Sequence, residues 1–112
     1  MSMATATDQR IAALKKRQVR PMGPGELAAS ILEENEVTHG EAAKRMGVSR
    51  VHLNRLLNGH VNLTPDMANR FGLFFGNSAA FWLRVQHERE MWDLLHSNKG
   101  EYSDIVPLAK AA

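Results

Sequence analysis

Residues 38–59, THGEAAKRMGVSRVHLNRLLNG, constrain the fold of this chain more than any other segment. The pattern predicts two short helices joined by a tight turn. Gly47 ends the first helix, because glycine adopts a positive φ without a Cβ clash. Thr38 and Ser49 favour the position before a helix, where their hydroxyl groups accept backbone N–H groups. The segment therefore predicts a helix-turn-helix hairpin.

The apolar residues of this hairpin recur at helical spacing, so each helix has one buried side. These residues are Ala42, Ala43, Met46, Leu53, Leu56 and Leu57. The outward residues of the second helix are polar or basic, and packing does not need them. In a DNA-binding helix-turn-helix, the second helix enters the major groove while the first crosses the backbone. A plain hairpin of a helical bundle is the alternative.

The second helix offers three candidate base readers, Arg50, Val51 and Arg55. Arginine binds guanine O6 and N7, and a valine methyl can contact the methyl group of thymine. The alternatives are solvated arginines or phosphate clamps, and a Val51 packed at the rim. Further candidates for phosphate contact or positioning are His39, Lys44, Ser49, His52, Asn54 and Asn58.

Composition fits this interpretation. A length of 112 residues predicts one domain, and the absence of cysteine excludes disulfides and thiolate chemistry. No secretion signal or long apolar run is present, so we expect a cytoplasmic protein without a membrane span. The net charge is only +2, but residues 38–62 carry four Lys/Arg and one Glu, as phosphate binding requires.

The whole chain is expected to be all-α, with five helices and no strand. The hairpin supplies two helices, and the others are expected over about 25–36, from Pro65 to about Phe75, and over about 79–97. Residues 1–19 are expected to be a flexible basic arm, with at most a turn or two of helix near residues 8–17. Residues 20–97 are expected to form the DNA-binding and dimerisation domain, and residues 98–112 a loose tail.

Several short motifs occur together in order and spacing. They are Arg20-Pro21, Pro24-Gly25-Glu26, GVSRVHLNRLLNG at 47–59, LTPDMANRF at 63–71, Phe75-Gly76 and FWLRVQ at 81–86. Over about residues 20–91 the chain resembles the HigA/VapI antitoxins, which have a lambda-repressor-like helix-turn-helix domain of the XRE type. Two positions depart from that pattern, with Gly23 where histidine is usual and Arg89 where an aromatic residue is common.

The resemblance implies that the protein binds double-stranded operator DNA and represses its own operon as a dimer. It also implies that the chain neutralises a HigB-type toxin, a ribosome-dependent mRNA endonuclease, in the bacterial cytoplasm and associated with the nucleoid. The alternatives are a stand-alone XRE-type regulator without a toxin, and a protein-interaction bundle that does not bind DNA.

The helix expected over residues 79–97 is apolar on more than one side. A monomer of this size cannot easily cover all of that surface, so we expect a homodimer with a two-fold interface. The candidate interface residues are Trp82, Val85, Arg89, Trp92 and Leu95. For Trp82 the alternative is the core, packed with Phe81 under the preceding helix.

The helix over residues 25–36 has acids and no bases, and its candidate toxin contacts are Glu26, Glu33 and Glu34. A toxin that cleaves mRNA must itself be basic, so an acidic face suits it. The alternative is a solvated helix face. A rival docking site is the arm, with Ile11 and Leu14 on one side, folding when it binds.

No enzyme chemistry is expected. None of the five histidines forms a pair at i, i+3 or i, i+4 spacing, which disfavours a zinc site. The chain lacks a nucleophile constellation and a glycine-rich phosphate loop. We therefore expect no catalytic residue, metal, cofactor or small-molecule substrate.

Overall fold

A computed structural model describes residues 6–97, 100 and 102–109, and only the backbone of residues 6 and 7. The described residues form six helices and no strand. The helices are α1 Ala6–Lys16, α2 Pro24–Glu34, α3 His39–Met46, α4 Arg50–Leu57, α5 Pro65–Phe75 and α6 Ala79–Ser97. Within the described part of the chain, no helix is both long enough and apolar enough to cross a membrane.

The hairpin forms from the local signals in its sequence. The Thr38 hydroxyl accepts the backbone N–H of Glu41 at 3.1 Å and begins α3. The Ser49 hydroxyl accepts the N–H of His52 at 3.0 Å and begins α4. Between them Gly47 adopts a φ of 72°, a left-handed conformation that residues with a Cβ rarely adopt. The predicted helix-turn-helix is therefore confirmed.

The five helices from α2 to α6 share one apolar core. Phe71 and Trp82 lie at its centre, fully buried, with their rings edge to face at 5.1 Å. The other buried members are Ala28, Leu32, Ala42, Ala43, Met46, Leu53, Leu56, Leu57, Leu63, Met67 and Ala68. Gly25 lets α2 approach the end of α4 closely, because a Cβ there would lie 2.2 Å from the Leu56 carbonyl oxygen.

The N-terminal segment differs from the expected flexible arm. α1 is an eleven-residue helix that packs against α6, and Leu14 is only 7% exposed. Arg10 forms an ion pair with Glu88, and the Trp92 indole N–H donates to the Arg17 carbonyl at 2.9 Å. The apolar side of α6 supplies the tertiary contacts that a polar segment lacks alone. Residues 1–5 lie outside the described residues.

The end of α2 comes earlier than the pattern suggested. The helix expected to reach residue 36 ends at Glu34, and Glu36 adopts a φ of 54°. The N–H of Val37 then bonds to the Leu32 carbonyl, which closes the helix end as a glycine usually does. Residues 102–109 are exposed and form no helix, while residues 98–99, 101 and 110–112 are not described.

Candidate nucleic-acid interface

The exposed side of α4 is basic. Arg50 and Arg55 are exposed, and Val51 is 70% exposed although it is apolar. The opposite side carries Leu53, Leu56 and Leu57, all buried in the core. This helix therefore presents all three predicted base readers to solvent on a rigid support.

The other predicted DNA contacts lie on α3 and α4 or at the ends of α4. His39, Lys44, Ser49, His52 and Asn58 are exposed, and Asn54 is half-buried. His39 Nδ1 lies 3.0 Å from Asn54 Oδ1, so the start of α3 contacts the middle of α4. A Cβ on Gly40 would lie 4.0 Å from the Arg50 side chain, which brings Arg50 to the same end of α3.

Arg70 of α5 supports this surface, and the sequence pattern did not single it out. Its Nη1 donates to the Met46 carbonyl at 2.9 Å and reaches the Gly47 carbonyl at 3.4 Å. Its Nε donates to Asp66 at 2.9 Å. The carbonyl groups at the C-terminal end of α3 lack partners within the helix, and a cation there also favours the helix dipole. Arg70 thus fixes the turn that orients α4.

Arg45 of α3 packs against α5 and does not add to the surface that carries the predicted DNA contacts. Its guanidinium lies 5.0 Å from the centre of the Phe74 ring, a cation–π contact on the side of α5. The basic charge available on the helix-turn-helix surface therefore comes chiefly from Lys44, Arg50 and Arg55.

The structure corrects part of the expected dimer surface. Trp82 is 0% exposed and its indole N–H donates to Asn77 Oδ1 at 2.6 Å, so its assignment to an interface is wrong and its core alternative is confirmed. Trp92 is half-buried and its indole N–H donates to the Arg17 carbonyl, so this side chain is engaged by the N-terminal segment. Val85 and Leu95 are half-buried on α6.

Arg89 likewise makes its contacts within the chain. Its Nη1 donates to the Pro21 carbonyl at 2.8 Å, and its Nη2 lies 2.7 Å from a Glu26 carboxylate oxygen. A Cβ on Gly23 would lie 3.3 Å from that Nη1. The two positions that depart from the family pattern therefore touch, since the room left by Gly23 is filled by Arg89. Arg89 is not free for an interface as it stands.

The candidate toxin contacts separate into exposed and covered groups. Glu33 and Glu34 are exposed on α2, whereas Glu26 is engaged by Arg89. Ile11 is half-buried and Leu14 is buried against α6. The apolar side of the N-terminal segment therefore packs on α6 instead of facing solvent. Among the described residues no group of three His, Asp or Glu side chains is arranged to hold a metal.

Comparison with known proteins agrees with this geometry. A family described as helix-turn-helix matches residues 29–82, the span from α2 to Trp82. Antitoxin HigA-1 of Vibrio cholerae is 34% identical to the chain over 96 residues, which are 85% of this chain and 90% of that relative.

Two solved structures have the same fold over most of the chain. The Pseudomonas aeruginosa antitoxin HigA, solved with the higBA promoter, is 32% identical with a TM-score of 0.69, covering 80% of this chain and 100% of that one. An addiction module antidote protein of a HigA family from Coxiella burnetii is 30% identical with a TM-score of 0.70, covering 80% and 99%.

Proposed function

The chain belongs to the HigA family of antitoxins, which have an XRE-type, lambda-repressor-like helix-turn-helix fold, and on that premise we propose that it binds operator DNA through α4. The observation that carries the proposal is the exposed side of this helix. It holds two arginines and an apolar valine, has no carboxylate, and is fixed from behind by buried leucines. Arg50 and Arg55 read base edges, and Val51 contacts a thymine methyl.

Phosphate contacts position this helix on the duplex. His39, Lys44 and Ser49 lie at or near the helix ends that face the backbone in a helix-turn-helix complex. His52 and Asn58 extend the contact along α4, and Asn54, bonded to His39, is a positioning residue. Contacts that reach phosphate strengthen binding to every sequence alike and weaken as salt rises.

The protein acts as a homodimer that represses its own operon. Two recognition helices about 34 Å apart match an inverted repeat one helical turn apart. α6 also carries the remaining interface candidates Val85 and Leu95, which are half-buried, and the exposed Leu94. Sedimentation tests this step. A dimer at tens of micromolar supports it, and a monomer with a footprint lacking two-fold symmetry overturns it.

The antitoxin activity is directed at a HigB-type mRNA endonuclease in the bacterial cytoplasm, where the complex is associated with the nucleoid. Glu33 and Glu34 form the acidic surface that would face a basic toxin, because opposite charges orient the partners and speed their association. α2 packs against α4 from behind, so these carboxylates lie apart from the basic side of α4.

The test of DNA binding uses the duplex upstream of the chain's own reading frame. We expect a footprint with two-fold symmetry on that duplex and none on a shuffled duplex of equal composition. Absence of preference for its own upstream DNA would overturn the repressor role.

The test of toxin binding is co-purification with the product of the neighbouring reading frame, together with growth rescue. Glu33→Lys combined with Glu34→Lys should weaken both, while deletion of residues 1–19 serves as the comparison. If the charge reversal leaves affinity and rescue intact and the deletion abolishes both, the N-terminal segment is the toxin site. Operator binding with no toxin partner would identify a stand-alone regulator.

A further inference from the structure

One hydrogen bond joins the two helices of the DNA-binding hairpin on their exposed side. His39 is the first residue of α3, and Asn54 lies in the middle of α4. Their contact atoms, Nδ1 of the imidazole and Oδ1 of the amide, are 3.0 Å apart. His39 is exposed and Asn54 is half-buried, so the pair lies at the rim of the surface that carries Arg50.

The chemistry of the two groups fixes their roles. An amide oxygen only accepts hydrogen bonds, so Nδ1 of His39 must carry the proton. With its oxygen held by His39, the Asn54 amide keeps its two N–H donors for groups outside α3. A free asparagine can turn either its donors or its acceptor toward a base, whereas the bond from His39 restrains this amide.

We infer that His39 is a positioning residue that holds Asn54 as a hydrogen-bond donor toward a base edge in the major groove. This inference rests on the proposed DNA binding and adds to it a role for one pair. The partner base must offer acceptors, and guanine offers two adjacent ones, N7 and O6. Asn54 thereby contributes to sequence preference, and His39 contributes through it.

The experiment selects duplexes from a randomised library with the full chain and its variants, and reads the base preference at each position. Asn54→Ala and His39→Ala should relax the same base pair in each half-site and each weaken the selected site roughly three- to tenfold. The double variant should lose little more than either single variant, because the two residues act as one unit. His87→Ala, an exposed histidine on α6, is the matched control and should change nothing.

A second variant tests the hydrogen bond itself. His39→Gln keeps an N–H donor for Asn54, so it should retain the base preference that His39→Ala loses. Rescue by glutamine separates an orienting bond from a merely structural role of the imidazole ring.

Several outcomes would overturn the inference alone. They are relaxation of different base pairs by the two alanine variants, losses that multiply in the double variant, and loss of the base preference in His39→Gln. In each case the unaltered chain still selects a sequence. If the unaltered chain selects no sequence at all, the proposed DNA binding fails and this inference fails with it.

Discussion

Arg70 of α5 donates a hydrogen bond to the backbone carbonyl of Met46, 2.9 Å away at the C-terminal end of α3. This bond ties the turn of the helix-turn-helix to a helix that takes no part in the motif. The geometry of the DNA face consequently depends on α5 as well as on the two helices that form it.

Arg70→Ala should lower the free energy of unfolding by about 1 kcal/mol. A bond from a charged donor contributes about 1.5–3 kcal/mol, but this side chain is 39% exposed and water replaces part of the contact. Urea denaturation measures the effect. Arg84→Ala, an exposed arginine on α6, is the control and should stay within about 0.5 kcal/mol of the unaltered chain. Equal losses in the two variants would contradict the role of Arg70.

Glu36→Gly should stabilise the protein by about 0.5–1 kcal/mol. Glu36 has a φ of 54°, a conformation that costs a side chain with a Cβ more than it costs glycine. Glu33→Gly is the matched control, because Glu33 is inside α2 and a glycine there should destabilise by about 1 kcal/mol. Thermal unfolding compares the two. A loss of stability in Glu36→Gly would show that its side chain makes a favourable contact that outweighs the strain.

Trp92→Phe should loosen the N-terminal segment without unfolding the core. The phenyl ring preserves apolar contact but cannot donate to the Arg17 carbonyl. Trypsin cleavage after Lys15, Lys16 and Arg17 should become roughly three- to tenfold faster, since cleavage follows the population of the opened segment. Glu90→Gln, an exposed change on the same helix, should leave the rate unaltered. Equal cleavage of all three proteins would mean that α1 is not held by Trp92.

Acid should release the same segment through Asp93. Two hydrogen bonds of 2.7 Å from Arg20 hold the pKa of the Asp93 carboxyl below its ordinary value of 3.8. Their stabilisation is therefore fully present above that value and is lost as the pH falls through the lowered pKa. Tryptophan emission should report the release, because Trp92 contacts the segment whereas Trp82 is buried in the core. In Asp93→Asn the segment should already be loosened at neutral pH, without this acid transition. A transition unchanged by the substitution would assign it to other carboxyl groups.

The hairpin could be predicted from the sequence alone, because the residues that begin and end its helices act locally. Thr38, Ser49 and Gly47 act within one turn of chain, and each takes the predicted conformation. The two ends of α5, capped by Thr64 and Gly76, were predictable for the same reason. The exposed side of α4 was likewise predictable from helical periodicity, since the buried leucines leave only one side for Arg50 and Arg55.

The sequence was insufficient where distant segments meet. α1 has only Ile11 and Leu14 for a buried side, so its helix depends on contact with α6. Periodicity showed that α6 has excess apolar surface, but it could not divide that surface between the core, α1 and a partner chain. Trp82 was therefore assigned to an interface although it lies in the core.

The central claim is that α4 reads sequence, and the most direct measurement is the ratio of operator affinity to random-duplex affinity for the unaltered chain and for Arg55→Ala. The account predicts that Arg55→Ala lowers this ratio by the equivalent of about 1–3 kcal/mol in binding free energy. It also predicts that the preference at one base pair in each half-site is relaxed, as expected for the loss of a base contact. Lys44→Ala, a phosphate contact, should weaken both affinities alike and reduce the salt dependence by about one charge per monomer. An unchanged ratio in Arg55→Ala would contradict the account.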